Sequence, residues 1–145
     1  MELTTSPIFQ SAIYRTEAPQ YLDLLNLICD PFIVEAKKKT APQIVSREAK
    51  AGKDIGDIGL SYHTENLMKQ AELYQFRRFI KSTSENILDA QGYDLKDYDI
   101  KFTEMWCQEF ANQGGGHHDT HIHWNNHISG FYFLKCSDRT SAPLF

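Results

Sequence analysis

Apolar positions recur at two different periods along this chain, and the change falls near Asp99. Tyr21, Leu25, Ile28, Phe32 and Ala36 are spaced three or four apart, which gathers them on one helix face. Pro19 suits a helix start. Pro31 after Asp30 marks a second start with Asp30 as N-cap, so the pattern predicts two abutting helices. Ahead of them, Ile8, Phe9, Ile13 and Tyr14 predict a short strand. Residues 37–59 carry Pro42, glycines and charges, and predict a long exposed connection, mobile or functional in a domain this small. Lys37, Lys38 and Lys39 read there as a solvated helix end. Helical spacing returns from Thr64 to Gln91. Leu73, Phe76, Ile80 and Ile87 form its apolar stripe, Arg77, Arg78 and Lys81 take the remaining surface, and Gly92 supplies the stop.

Beyond Asp99 the alternation shortens to two. Phe102, Glu104, Trp106, Gln108 and Phe110 share one side, and Thr103, Met105, Cys107 and Glu109 the other. Neither side is cleanly polar, as in a strand covered on both faces. The run ANQGGG is a turn, and the aromatic stretch 127–136 reads as a further strand. Helices first and strands later predict an α+β chain with N-terminal helices packed on a sheet, or a β-sandwich with a helical wrapper. A single domain over 1–145 fits the length, with 1–95 helical and 99–145 forming the sheet.

Charge narrows the partners. Fifteen Lys and Arg against nineteen Asp and Glu leave a net charge of −4, which argues against gripping nucleic acid or an anionic membrane surface. No stretch reaches the ~20 apolar residues of a membrane span. The N-terminus lacks the basic-then-apolar pattern of a secretory signal. Cys29, Cys107 and Cys136 are odd in number and far apart, so they predict neither a disulfide framework nor a metal knuckle, and a reducing compartment such as cytosol is expected.

Histidine changes the picture. Five of the six lie between His117 and His127, within GGGHHDTHIHWNNH. On a strand, His117, Asp119, His121 and His123 would share one face, while His118 points away. Imidazole and carboxylate suit iron, manganese, zinc and copper, and iron(II) is often held by two His and one carboxylate with positions left open. Same-face neighbours on a strand are roughly 6.6 Å apart, so two can converge on one ion and a third overreaches. The pairs are His117 with Asp119, Asp119 with His121, and His121 with His123. Parity does not choose among them. His118 and His63 are bystanders in this reading. An open site is favoured over a structural zinc, because no cysteine joins the cluster.

The stretch from Trp106 to Phe145 resembles the metal-binding half of 2-oxoglutarate- and iron(II)-dependent oxygenases of the double-stranded β-helix (jelly-roll) fold, in a branch common in marine bacteria and cyanophages. Trp106, the glycine turn 114–116, His118, His121, His123 and the strand Ser129–Leu134 carry the likeness, and residues 6–33 are similar to that branch's opening. The resemblance implies a partial jelly roll behind the helices, with Fe(II) and 2-oxoglutarate as cofactors. It implies His121 and His123 as the metal pair, with His123 where the commoner motif has a carboxylate. A three-His site or recruitment of Asp119 or His117 therefore stays open. Tyr132, Gln108 and Trp106 are secondary candidates for the cosubstrate pocket, and packing is the commoner role for such a Tyr.

The family's distal His and its carboxylate-clamping Arg have no counterpart here, since no His follows His127 and the one later Arg is Arg139. The resemblance therefore implies an N-terminal fragment of a longer oxygenase, inactive alone and cytoplasmic (in host cytoplasm if viral). Its substrate class spans peptide side chains, nucleobases and small metabolites. Two rivals stand beside it. A cupin-type metal protein fits Gly115 and the His121-Ile122-His123 spacing, although His127 stands where a Glu is expected. A non-catalytic interaction module would use the histidines for stability alone.

Overall fold

The first long element is one helix, α1 (Leu22–Ala51), entered through a 3-10 turn at Pro19–Tyr21. The computed structural model describes residues 12–138 and residue 140. The two-helix reading is corrected, because α1 runs unbroken through Pro31 and Pro42. A proline inside a helix removes one hydrogen bond and crowds the preceding turn. Both prolines face solvent here, while Leu25, Cys29, Ile33 and Ala36 bury the opposite stripe on either side of Pro31. Apolar burial flanking the defect holds the rod together.

The exposed connection predicted over 37–59 is likewise helical as far as Ala51. Its last turns are anchored by polar contacts. The Glu48 carboxylate accepts the backbone N–H groups of Ile55 and Gly56, and Arg47 donates to the Ile58 carbonyl at 2.7 Å. The three lysines lie mid-helix and meet carboxylates: Lys37 with Glu109, Lys38 with Glu35, and Lys39 with Glu65. Gly52, at φ +66°, ends α1.

The second helix, α2 (Tyr74–Ala90), carries the predicted stripe inward. Phe76 is buried on it, just after buried Leu73, with Ile80 and Ile87 half-buried. Arg77 is not the free surface residue expected, since its guanidinium donates to the carbonyls of Met68 and Gln70. α2 stops at Gly92, where the Gly92 N–H bonds to the Asp89 carbonyl and the Tyr93 N–H to the Leu88 carbonyl.

Residues 61–73, partly read as helix, begin with strand β1 (Ser61–His63) and continue through 3-10 turns. β1 pairs antiparallel with β2 (Gln108–Phe110), placing Ser61 opposite Phe110, Tyr62 opposite Glu109 and His63 opposite Gln108. The alignment extends irregularly. Thr64 N–H bonds to the Cys107 carbonyl, Leu67 N–H to Met105, and Ala111 N–H to Leu60.

The long strand predicted before Phe110 is thus three residues, because the Thr64 hydroxyl accepts the Cys107 N–H in place of a ladder partner. The stretch 127–136 forms no strand; Tyr132 and Leu134 pack on the helical core instead. The structure is α+β, and its described residues form this two-stranded sheet rather than a jelly roll. Ile8 and Phe9 lie outside the described residues, while Ile13 and Tyr14 are exposed and irregular.

The core joins α1, α2 and the 3-10 turns between them, with the segment leading into β2 packed alongside. Leu25, Cys29, Leu67, Leu73 and Phe76 are buried together, with Tyr21, Met105, Cys107 and Tyr132 packed around them. Among the described residues, no helix is long and apolar enough to cross a membrane.

Candidate metal centre

The histidine segment leaves the sheet at a tight turn. Asp57 organises it: its carboxylate accepts the N–H groups of Asn112 and Gln113 and the Tyr62 hydroxyl. Burial works to raise this carboxyl, but those hydrogen bonds, with one from its own backbone N–H, together outweigh it and hold it below the usual carboxylate range. Gly116 then passes so close to the sheet that a Cβ there would sit 2.5 Å from the Leu60 carbonyl oxygen. The Ser61 hydroxyl donates to the His117 carbonyl at 2.9 Å, fixing where the histidines begin.

From that anchor the side chains form two pairs rather than a single row. His117 Nε2 and Asp119 Oδ1 are 3.3 Å apart, both well exposed. His121 Nε2 and His123 Nε2 are 3.1 Å apart, with rings 4.7 Å between centroids. The segment is not a regular strand, so the single-face argument does not hold. Convergence of neighbours two apart nevertheless occurs twice.

The second pair has the chemistry of a metal chelate. His121 Nδ1 lies 2.8 Å from the Asp119 carbonyl oxygen. A carbonyl only accepts, so Nδ1 carries the proton and the Nε2 lone pair is left for coordination. Two imidazole nitrogens bound at ~2.1 Å and at right angles would be about 3.0 Å apart. The observed spacing fits an adjacent pair of octahedral positions. Among the described residues, no third His, Cys, Asp or Glu joins them in a metal-ready group.

His118 and His63 lie beside this pair. The His118 ring stacks on His121 with centroids 4.4 Å apart, and its Nδ1 meets the Gln108 amide oxygen at 3.0 Å. Burial holds its imidazole below the ordinary value, reinforced by His121 and His63. His63 comes close because β1 pairs it with Gln108, and its ring stacks on Trp106 at 5.0 Å. No local pattern in SYH signals that placement; only the strand pairing does.

Gln108 is therefore linked to the histidines through His118, and Trp106 through His63. Tyr132 lies elsewhere: its ring meets Phe76 edge-on at 5.5 Å and its hydroxyl donates to the Ala18 carbonyl at 2.8 Å. Two surface depressions, about 560 and 280 Å³, are lined by residues around Tyr93 and around Tyr14, and neither lining includes a histidine. Comparison of the chain with family models, curated proteins and solved structures gives no match.

Proposed function

We propose that the chain carries the iron-holding segment of a 2-oxoglutarate- and Fe(II)-dependent oxygenase, with His121 and His123 as its two imidazole ligands. The observation that supports this reading is the 3.1 Å approach of their Nε2 atoms, with the His121 tautomer set by the Asp119 carbonyl. Iron(II) held there would supply, with 2-oxoglutarate and O₂, oxidation of an unactivated substrate bond coupled to decarboxylation. The protein's part is placement. Stacked His118 limits the ring orientations open to His121, and Gln108 in turn holds His118. In this reading the jelly roll implied by the resemblance is the fold that the two-stranded sheet belongs to, and the substrate is a peptide side chain, nucleobase or small metabolite.

Anaerobic titration of the purified chain with Fe(II), then 2-oxoglutarate, tests the reading. One ion per chain and a visible charge-transfer band on adding 2-oxoglutarate are expected. His121→Ala or His123→Ala should each weaken metal binding more than ~10-fold, and His117→Ala should not. Iron uptake with no spectral response to 2-oxoglutarate would favour a cupin-type metal protein. Uptake unaffected by either alanine would end the assignment of the pair.

A further inference from the structure

The outer side of α1 carries a second apolar row. Leu27, Val34 and Val45 are 74%, 49% and 66% exposed, with exposed Pro31 and Ala41 between them. Steps of four and three residues link positions 27, 31, 34, 38, 41 and 45, the spacing of a coiled-coil seam, with Lys38 as its charged member. The row lies opposite Leu25, Cys29, Ile33 and Ala36, which bury the other side of the helix. Charge along α1 is divided at its middle. Residues 22–36 carry Asp23, Asp30 and Glu35 and no cation, whereas residues 37–51 carry Lys37, Lys38, Lys39, Arg47 and Lys50 against Glu48. The helix dipole favours that order only within the first and last turns, so it does not account for Asp30, Glu35 or the lysines at 37–39. Contacts within the chain engage part of the set: Lys37 with Glu109, Lys39 with Glu65, and Asp30 with Lys135. Glu35 and Lys38 stand exposed beside the apolar row, 2.6 Å from one another.

A helix that is acidic in one half and basic in the other complements a copy of itself running the opposite way. We propose that the outer face of α1 is the interface of a twofold dimer, in which it pairs antiparallel with α1 of a second copy about residue 36. That register sets Leu27 against Val45 of the second copy and Pro31 against its Ala41. Val34 meets the methylene stem of Lys38 of the second copy, and Glu35 comes beside the same lysine. A parallel pairing would set acid on acid and base on base. A partner of one charge sign would match half of the helix and be repelled by the other half. The seam runs about 27 Å along the helix and is interrupted by Lys38, so a dissociation constant in the micromolar range is expected. Every residue in it belongs to α1, and the pairing is independent of whether His121 and His123 hold a metal.

Sedimentation of the full chain from about 5 to about 500 µM tests this. The average mass should rise with concentration from 16.7 kDa towards twice that value. Leu27→Lys sets a cation against the basic half of the second copy and should weaken association at least ~10-fold. Because Leu27 is exposed, the far-UV helical signal should not change. Val45→Glu should weaken association equally from the acidic half, and it serves if Leu27→Lys does not fold. Lys38→Glu alone should also weaken the dimer, and adding Glu35→Lys should restore it. Direction is read by cross-linking in a Cys136→Ser background: Leu27→Cys chains should link to Val45→Cys chains, and neither should link to itself. A single-copy mass throughout, association unmoved by both seam substitutions, or self-linking of Leu27→Cys chains would overturn the proposal.

Discussion

At the scale of single residues, the turn into the histidine segment depends on atoms that admit little substitution. A Cβ on Gly116 would also lie 3.1 Å from the Ala111 nitrogen and 3.1 Å from the Phe110 Cβ, so it meets backbone that is itself paired. Gly116→Ala should cost about 1–3 kcal/mol in urea unfolding. Gly130→Ala, with nothing within 4 Å of its Cβ, should stay within about 0.5 kcal/mol of the parent. Equal effects would show that the close approach is absent in solution.

Asp57 gives the pH dependence. Its folded carboxyl is held below the unfolded value of about 3.9, so its stabilisation is present above that value and lost as pH falls through the folded one. Asp57→Asn should cost about 1–2 kcal/mol at pH 7, and the gap to the parent should narrow below about pH 4. Parallel stability–pH profiles from pH 7 to 3 would remove Asp57 from its organising role. Of this turn, the glycine run was legible in the sequence. The identity of the glycine in backbone contact was not, because its neighbour Leu60 belongs to a distant segment.

Among the elements, α2 was the most legible and α1 the least. The stripe Leu73, Phe76, Ile80 and Ile87 has one periodic face, and that face lies on the core. α1 carries Leu27, Val34 and Val45 outward as well as its buried stripe, so periodicity alone does not bound it. Pro31 and Pro42 read locally as boundaries, and the contacts that override them are not local. Lys37 reaches Glu109 on β2, and Arg47 reaches the Ile58 carbonyl.

The helix thus carries an internal cost that a substitution can remove. Pro42 is exposed and has no N–H for the Lys38 carbonyl one turn back. Pro42→Ala should raise stability by about 1–3 kcal/mol, less whatever the looser unfolded chain takes back, and should increase far-UV helical signal. A lower melting temperature would mean that Pro42 is needed where it stands. The candidate site was legible as a set of donors, and both pairs that converge, His117 with Asp119 and His121 with His123, were among those the spacing offered. What favours His121 and His123 in the proposed reading is the Asp119 carbonyl and the stacking of His118, both products of a fold in this segment that is not a plain strand.

At the scale of the whole molecule, large apolar side chains stand exposed on both helices and beyond them, Leu27, Val45 and Tyr74 among them. Past the sheet, Ile122, Trp124, Phe131 and Phe133 are all exposed. Tyr132 is a main tie between that segment and the rest. Its ring sits against Phe76, and its hydroxyl bonds to Ala18, 114 residues away in sequence. Tyr132→Phe keeps the ring and removes the hydrogen bond, so about 1 kcal/mol should be lost. Tyr132→Ala also removes the packing, and about 3–5 kcal/mol should go with it.

The distribution of the loss matters more than its size. Because α1, α2 and the 3-10 turns between them share a core built mainly on Leu25, Cys29, Leu67, Leu73 and Phe76, that unit should persist when Tyr132 is truncated. Hydrogen exchange in Tyr132→Ala should therefore accelerate over 127–138 while amides in the buried stretch of α1 keep their protection. Uniform acceleration across both regions would show that the aromatic segment and the helical core unfold as one cooperative unit, with Tyr132 holding the whole rather than one end.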